Sequence, residues 1–193
     1  MAAKYPQWFS TRDVTTLSNL VALPSVVYMA SSGKWHLALA MLLACVLSIL
    51  FHSTEADSVY VVGLEVRHGL DDGLLIPALV PATWLAFGKQ HSHTLLRLDE
   101  IGALLVIVAT VAACGGPAKF IRAARGPFLW HIVVGLTSLA ASDLLLEGWA
   151  HAITHAIWHT IAFALPPMMV HEAAAHLPRS LLLKENYYHF KAI

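Results

Sequence analysis

The sequence predicts an all-α, multi-pass transmembrane helix bundle, and three observations carry that prediction. Of 193 residues, 58% are hydrophobic and only 12% are charged, about half of the roughly 25% charge typical of soluble domains. The mean hydropathy is +0.64. The apolar residues fall in blocks close to the ~20 residues that cross about 30 Å of hydrocarbon. Charge is balanced, with 12 Lys+Arg against 12 Asp+Glu. That excludes a basic nucleic-acid binder and an acidic disordered tail.

Six apolar blocks are counted. The first runs from Val14 to Ala30 and ends at the turn-like Ser31-Ser32-Gly33-Lys34. The residues before it lack the pattern of a cleaved secretory signal, so this block is expected to act as an uncleaved signal-anchor. The second runs from His36 to His52. The third spans Asp71 to Phe87, where Pro77 and Pro81 should kink it. The fourth spans Leu98 to Cys114 and is stopped by Gly115-Gly116-Pro117. The fifth runs from Pro127 to Leu146. The sixth runs from Trp149 to Val170, with Pro166-Pro167 breaking its last third. No repeat or low-complexity linker interrupts the chain, so residues 1–193 read as one transmembrane domain.

Basic residues orient such a bundle. With six spans, Lys4, Arg12, Arg67, Lys119, Arg122, Arg125, Arg179, Lys184 and Lys191 share a side, against Lys34, Lys89 and Arg97. The excess places the N-terminus in the cytoplasm. Cys45 and Cys114 lie inside apolar blocks without CxxC spacing, and read as core residues rather than a disulfide framework.

Histidine is in surplus: there are 12, as many as Lys and Arg together. Ionisable groups within a span are costly and mark candidate sites. His151, His155 and His159 are spaced by four, which puts them on one face of the last helix. Two neutral imidazoles at that spacing can share a metal ion, usually Zn²⁺. Interfacial histidines near a helix start are the other reading. Ser48 and His52, also four apart, close the second block; His52 is a third candidate ligand, or a wet terminal histidine. His68-Gly-Leu-Asp71-Asp72 opens the third block, and Asp99-Glu100 the fourth. Carboxylates at such positions cap helices; Asp71 or Asp72 could instead touch a water on the metal, while Asp99 and Glu100 read as caps. Asp143 and Glu147 are candidate partners for ligand histidines. His36, His91, His93, His171, His176 and His189 sit near block ends or in loops.

Taken together, Ser48-Ile-Leu-Phe-His52, an Asp opening the third block and His155-Ala-Ile-Trp-His159 resemble the CREST superfamily. Alkaline ceramidases, progestin and adipoQ receptors and Per1-like membrane hydrolases belong to it. With Thr16-Leu-Ser-Asn-Leu-Val-Ala-Leu-Pro24 added, the chain most resembles the myomaker and GPI-specific phospholipase branch. The resemblance implies a seven-helix bundle and Zn²⁺ held by His52, His155 and His159. It implies that Asp71, with Asp72 in reserve, contacts the water on the zinc, and that Ser48 lies by the substrate carbonyl. The expected activity is metal-dependent hydrolysis of a lipid amide or ester bond. The partners are then a membrane lipid substrate and the bilayer, with no nucleic acid. The alternative is a non-catalytic, myomaker-like fusion protein or a receptor that keeps a structural zinc.

That mechanism requires His52, Asp71 and His155 at one membrane face, and so an even number of crossings between Asp71 and His155. Three blocks are counted there. The stretch from Gly115 to Gly126 stands where a fourth would be expected, but is too short and too basic to span.

Overall fold

A computed structural model describes residues 10–55, 58–61, 64–67, 75–79, 81–126 and 128–175. The fold is helical, with one short hairpin. The first apolar block becomes α1 (Thr11–Leu17), a 3₁₀ turn (Ser18–Val21) and α2 (Ala22–Ser31). Ser10 starts it with a capping box: its hydroxyl accepts from the Asp13 N–H, and the Asp13 carboxylate accepts from the Ser10 N–H at 2.7 Å. Each satisfies an orphan donor of the first turn. The chain turns at Gly33, whose φ of 72° suits glycine. It then returns as α3 (Trp35–Thr54).

A two-stranded antiparallel hairpin follows, β1 (Ser58–Val61) with β2 (Leu64–Arg67). Among its described residues the third apolar block does not form the kinked span expected. It divides into α4 (Leu75–Leu79) and α5 (Ala82–Gln90). Pro81 is the cause: its ψ of 139° is extended, and its carbonyl starts a new helix by accepting from Trp84 and Leu85. The short α5 rests on the end of α3, with Gly88 against Thr54.

Next come α6 (Ser92–Ala113), α7 (Pro117–Arg125), α8 (Leu129–Leu145) and α9 (Gly148–Ala175). The basic stretch after α6 is therefore a helix, bent from α6 by 100°. α9 runs unbroken through Pro166 and Pro167. Both prolines are buried, and packing on neighbours is what allows proline inside a membrane helix.

Three stretches are long and apolar enough to cross a membrane: Thr11–Ser31, Trp35–Thr54 and Gly148–Ala175; the bent pair α6 and α7 makes a fourth if taken as one. Among the described residues the six spans counted from sequence are thus not seen. Many large apolar side chains face outward, Leu39, Leu104, Val108 and Leu145 among them, as suits a lipid-facing surface.

Contacts fix the directions. Gly102 meets Ala44 and the Asp99 carboxylate meets Ser48, so α6 runs antiparallel to α3. Gly135 meets Trp158 and Ile161 while Ser142 reaches His155, so α8 runs antiparallel to α9. Between His52 and His155 the chain therefore makes two long passes, α6 and α8, out and back. Among the described residues the third block forms no helix long enough to cross a membrane, which leaves α6 and α8 as the long helices between His52 and His155. The same directions overturn the expected grouping of basic residues: Lys34 shares an end with α7, and Lys89 and Arg97 share the other end with Arg12.

Candidate metal centre

The three predicted ligands meet. His52 ends α3, while His155 and His159 occupy successive turns of α9; all three are buried. One nitrogen from each lies within 4.8 Å of the others. The closest pair, Nε2 of His52 and Nε2 of His155, is 3.1 Å apart. Nitrogens about 2.0–2.1 Å from a tetrahedral zinc stand about 3.3–3.4 Å apart, so this edge already suits an ion, and the His159 edges need a modest closure.

The outer nitrogens decide the chemistry. Nδ1 of His52 is 2.8 Å from the Glu55 carboxylate. Nδ1 of His155 lies 3.2 Å from the Asp143 carboxylate and 3.1 Å from the Ser142 hydroxyl. Both carboxylates accept, so both Nδ1 atoms donate. Nδ1 of His159 is 2.7 Å from the Ser18 oxygen, and the Ser18 hydroxyl donates to the Thr15 carbonyl. With its one proton used there, Ser18 accepts from His159. The network thus assigns the same tautomer to all three rings. Each carries its proton on Nδ1 and turns a bare Nε2 lone pair inward. Lone pairs meeting at 3.1 Å repel unless a cation or proton lies between them. Acceptors behind ligand histidines are the usual support of a metal site, and this buried group could hold a metal ion.

The remaining sequence candidates separate. Ser48 is buried one turn before His52, and its hydroxyl engages Asp99. Asp99 also lies within electrostatic reach of His52 and His155. It does not cap a helix as expected, because α6 begins at Ser92, about two turns earlier. Asp71, Asp72 and His68 lie outside the described residues. His151 is buried, donates Nδ1 to the Ser142 carbonyl at 2.9 Å and stacks on His155, outside the three-histidine group. Of the α8 pair, Asp143 serves His155, whereas Glu147 lies beyond the helix end.

Sequence reasoning missed three contributors. Glu55 was legible, being three residues beyond His52. Ser18 and Arg12 were not, since only tertiary packing brings them in. Arg12 is buried and donates to the carbonyl of Glu55 at 2.6 Å and to that of His52 at 3.5 Å, tying down the end of α3.

A cavity of about 330 Å³ leads away from the centre. Ser48, Asp99 and His159 line its polar end, and Val106, Ile132, Phe163 and Met169 its apolar body. α6 and α8 flank it without packing closely on each other.

These features define the class: a helical membrane protein with a buried three-histidine centre able to hold a metal ion. No family model, curated protein or solved structure matches the chain.

Proposed function

We propose that the chain is a zinc-dependent integral membrane hydrolase of the CREST type, cleaving an amide or ester bond of a membrane lipid. One observation carries the reading: three inward Nε2 lone pairs, each fixed by an acceptor behind its ring, lie beside a Ser48–Asp99 pair at the head of an apolar cavity. A neutral three-histidine donor set whose nitrogens lie within 4.8 Å of one another suits zinc after a modest closure. Zinc there supplies Lewis-acid polarisation of the carbonyl and makes water nucleophilic near neutral pH.

The chain's own groups do the rest. Asp99 takes the role that the resemblance gives Asp71: it orients the attacking water and accepts its proton. Ser48 donates to the carbonyl oxygen as charge develops on it. The cavity holds an acyl chain and keeps bulk water from the reacting bond. Glu55, Asp143 and Ser18 keep the histidines in the ligating tautomer.

The test combines metal analysis with hydrolysis of ceramide and glycerophospholipid by purified protein in lipid nanodiscs. Wild type should carry one zinc per chain and release fatty acid. Ser48→Ala and Asp99→Ala should keep zinc and lose about 10²–10³-fold in rate. If Asp71→Ala abolishes turnover and Asp99→Ala does not, the carboxylate role returns to Asp71. Stoichiometric zinc with no hydrolysis of any lipid class would instead favour the non-catalytic fusion or receptor reading.

A further inference from the structure

The two ends of the bundle differ sharply in charge. At the end bearing α7 stand Lys34, Lys119, Arg122 and Arg125, and Glu172 is the one acidic residue there among the described residues. At the metal end, among the described residues outside the β1–β2 hairpin, stand Asp13, Glu55, Asp99, Glu100, Asp143 and Glu147 against Arg12, Lys89 and Arg97. Two of those three cations are engaged within the protein. Arg12 is buried on backbone carbonyls, and Arg97 pairs with Glu100 at 2.7 Å. Arg122 and Arg125, by contrast, are exposed.

The shape of α7 fits a membrane surface. It lies at 100° to α6, so it turns out of the bundle direction. Phe120, Ala123 and Ala124 pack on the core, while both arginines face away from it. Trp130 follows it at 71% exposed, and Trp35 stands beside Lys34 at 63%. At the other end Trp84 and Trp149 are exposed too. Tryptophans outside both ends of an apolar bundle mark two headgroup belts. Cations concentrated at one belt are attracted to anionic headgroups, which are enriched in the cytoplasmic leaflet.

We infer that α7 lies on the cytoplasmic leaflet, its cations on anionic lipid headgroups, and that the metal centre opens beneath the opposite leaflet. This reverses the orientation expected from six spans, because only the observed helix directions place Lys34 with α7. It also deepens the proposed function, on which its second half rests: the hydrolysed lipid is drawn from the non-cytoplasmic leaflet.

Cysteine labelling tests it. Cys45 and Cys114 are buried, so an impermeant maleimide reads added cysteines. The full chain is inserted into sealed microsomes, whose outside is the cytoplasmic face. Ser32→Cys, in the α2–α3 turn, should label without detergent. Glu147→Cys, between α8 and α9, should label only after detergent. The reverse pattern, or labelling of both before detergent, overturns the inference. Replacing Lys34, Lys119, Arg122 and Arg125 together by Gln should bring labelling of Ser32→Cys before detergent down from nearly all chains to about half. Unchanged labelling there would overturn the role given to these charges. Neither readout depends on zinc or turnover, so a failed orientation and a failed hydrolase reading are distinguishable.

Discussion

At the residue scale, the proton on each imidazole Nδ1 determines what the centre can do. His52 gives its proton to Glu55, so Glu55→Gln weakens that acceptor without emptying the space. Metal affinity, measured by competition with a chromophoric chelator, should fall about 10–100-fold; an unchanged affinity would mean that the Nδ1 contact does not support the ligand. Asp99 predicts the opposite split. Asp99→Asn should bind zinc as tightly as wild type, because Asp99 is not among the grouped ligands, yet lose at least about 10²-fold in hydrolysis. Loss of both together would make it a ligand rather than a base. The sequence made His155 and His159 of the grouped histidines legible because four-residue spacing projects side chains on one helix face. It did not bring Asp99 to the centre, because that depends on where α6 begins, and Asp71 lies outside the described residues. Ser92, His93, Thr94 and Arg97 made the first two turns look like a loop, and so made the aspartate that follows look like a cap.

At the element scale, the close fit of α3 on α6 brings Ser48 to Asp99. Gly102 permits it: a Cβ there would stand 3.1 Å from the Ala44 backbone. Gly102→Leu should push the two helices apart and cost about 1–3 kcal/mol, read as a lower midpoint of thermal unfolding in detergent. It should slow hydrolysis while leaving zinc content intact, since His52, His155 and His159 lie on α3 and α9. A Gly102→Leu protein with wild-type turnover would show that this contact does not align the pair. Four of the six apolar blocks became helices of 17 to 28 residues, their ends displaced by up to six residues from those expected, because apolar blocks of that length have few other ways to satisfy their backbone in lipid. The first gained a 3₁₀ turn, and the third failed. It carried the same apolar signal, but Pro81 stops a helix that short of membrane thickness. The stretch holding α7 is too short and too basic to span by itself, as expected, and the same residues still allow a short helix lying across the end of α6.

At the scale of the whole molecule, the metal centre joins parts of the chain that are far apart in sequence. Its ligands come from α3 and α9, and their acceptors from the 3₁₀ turn, the end of α3 and α8. Each long pass except α6 contributes a group, and Asp99 brings α6 alongside. An ion bound only by the folded arrangement stabilises it by mass action, about 4.1 kcal/mol at a thousand times its dissociation constant. Chelation of the wild-type protein should therefore lower its thermal midpoint by several degrees and re-addition of zinc should restore it. His155→Ala, with the central ligand gone, should start from the lower midpoint and respond to neither treatment. This comparison separates a bound metal from a purely hydrogen-bonded cluster. If the three rings were held by a shared proton alone, chelator would leave the wild-type midpoint where it was. Apposed Nε2 lone pairs also make the apo form strained at the junction of all these passes. Proteolysis of chelated protein should accordingly begin near the ends of α3 and α8 that meet there, before the opposite end around α7 is cut.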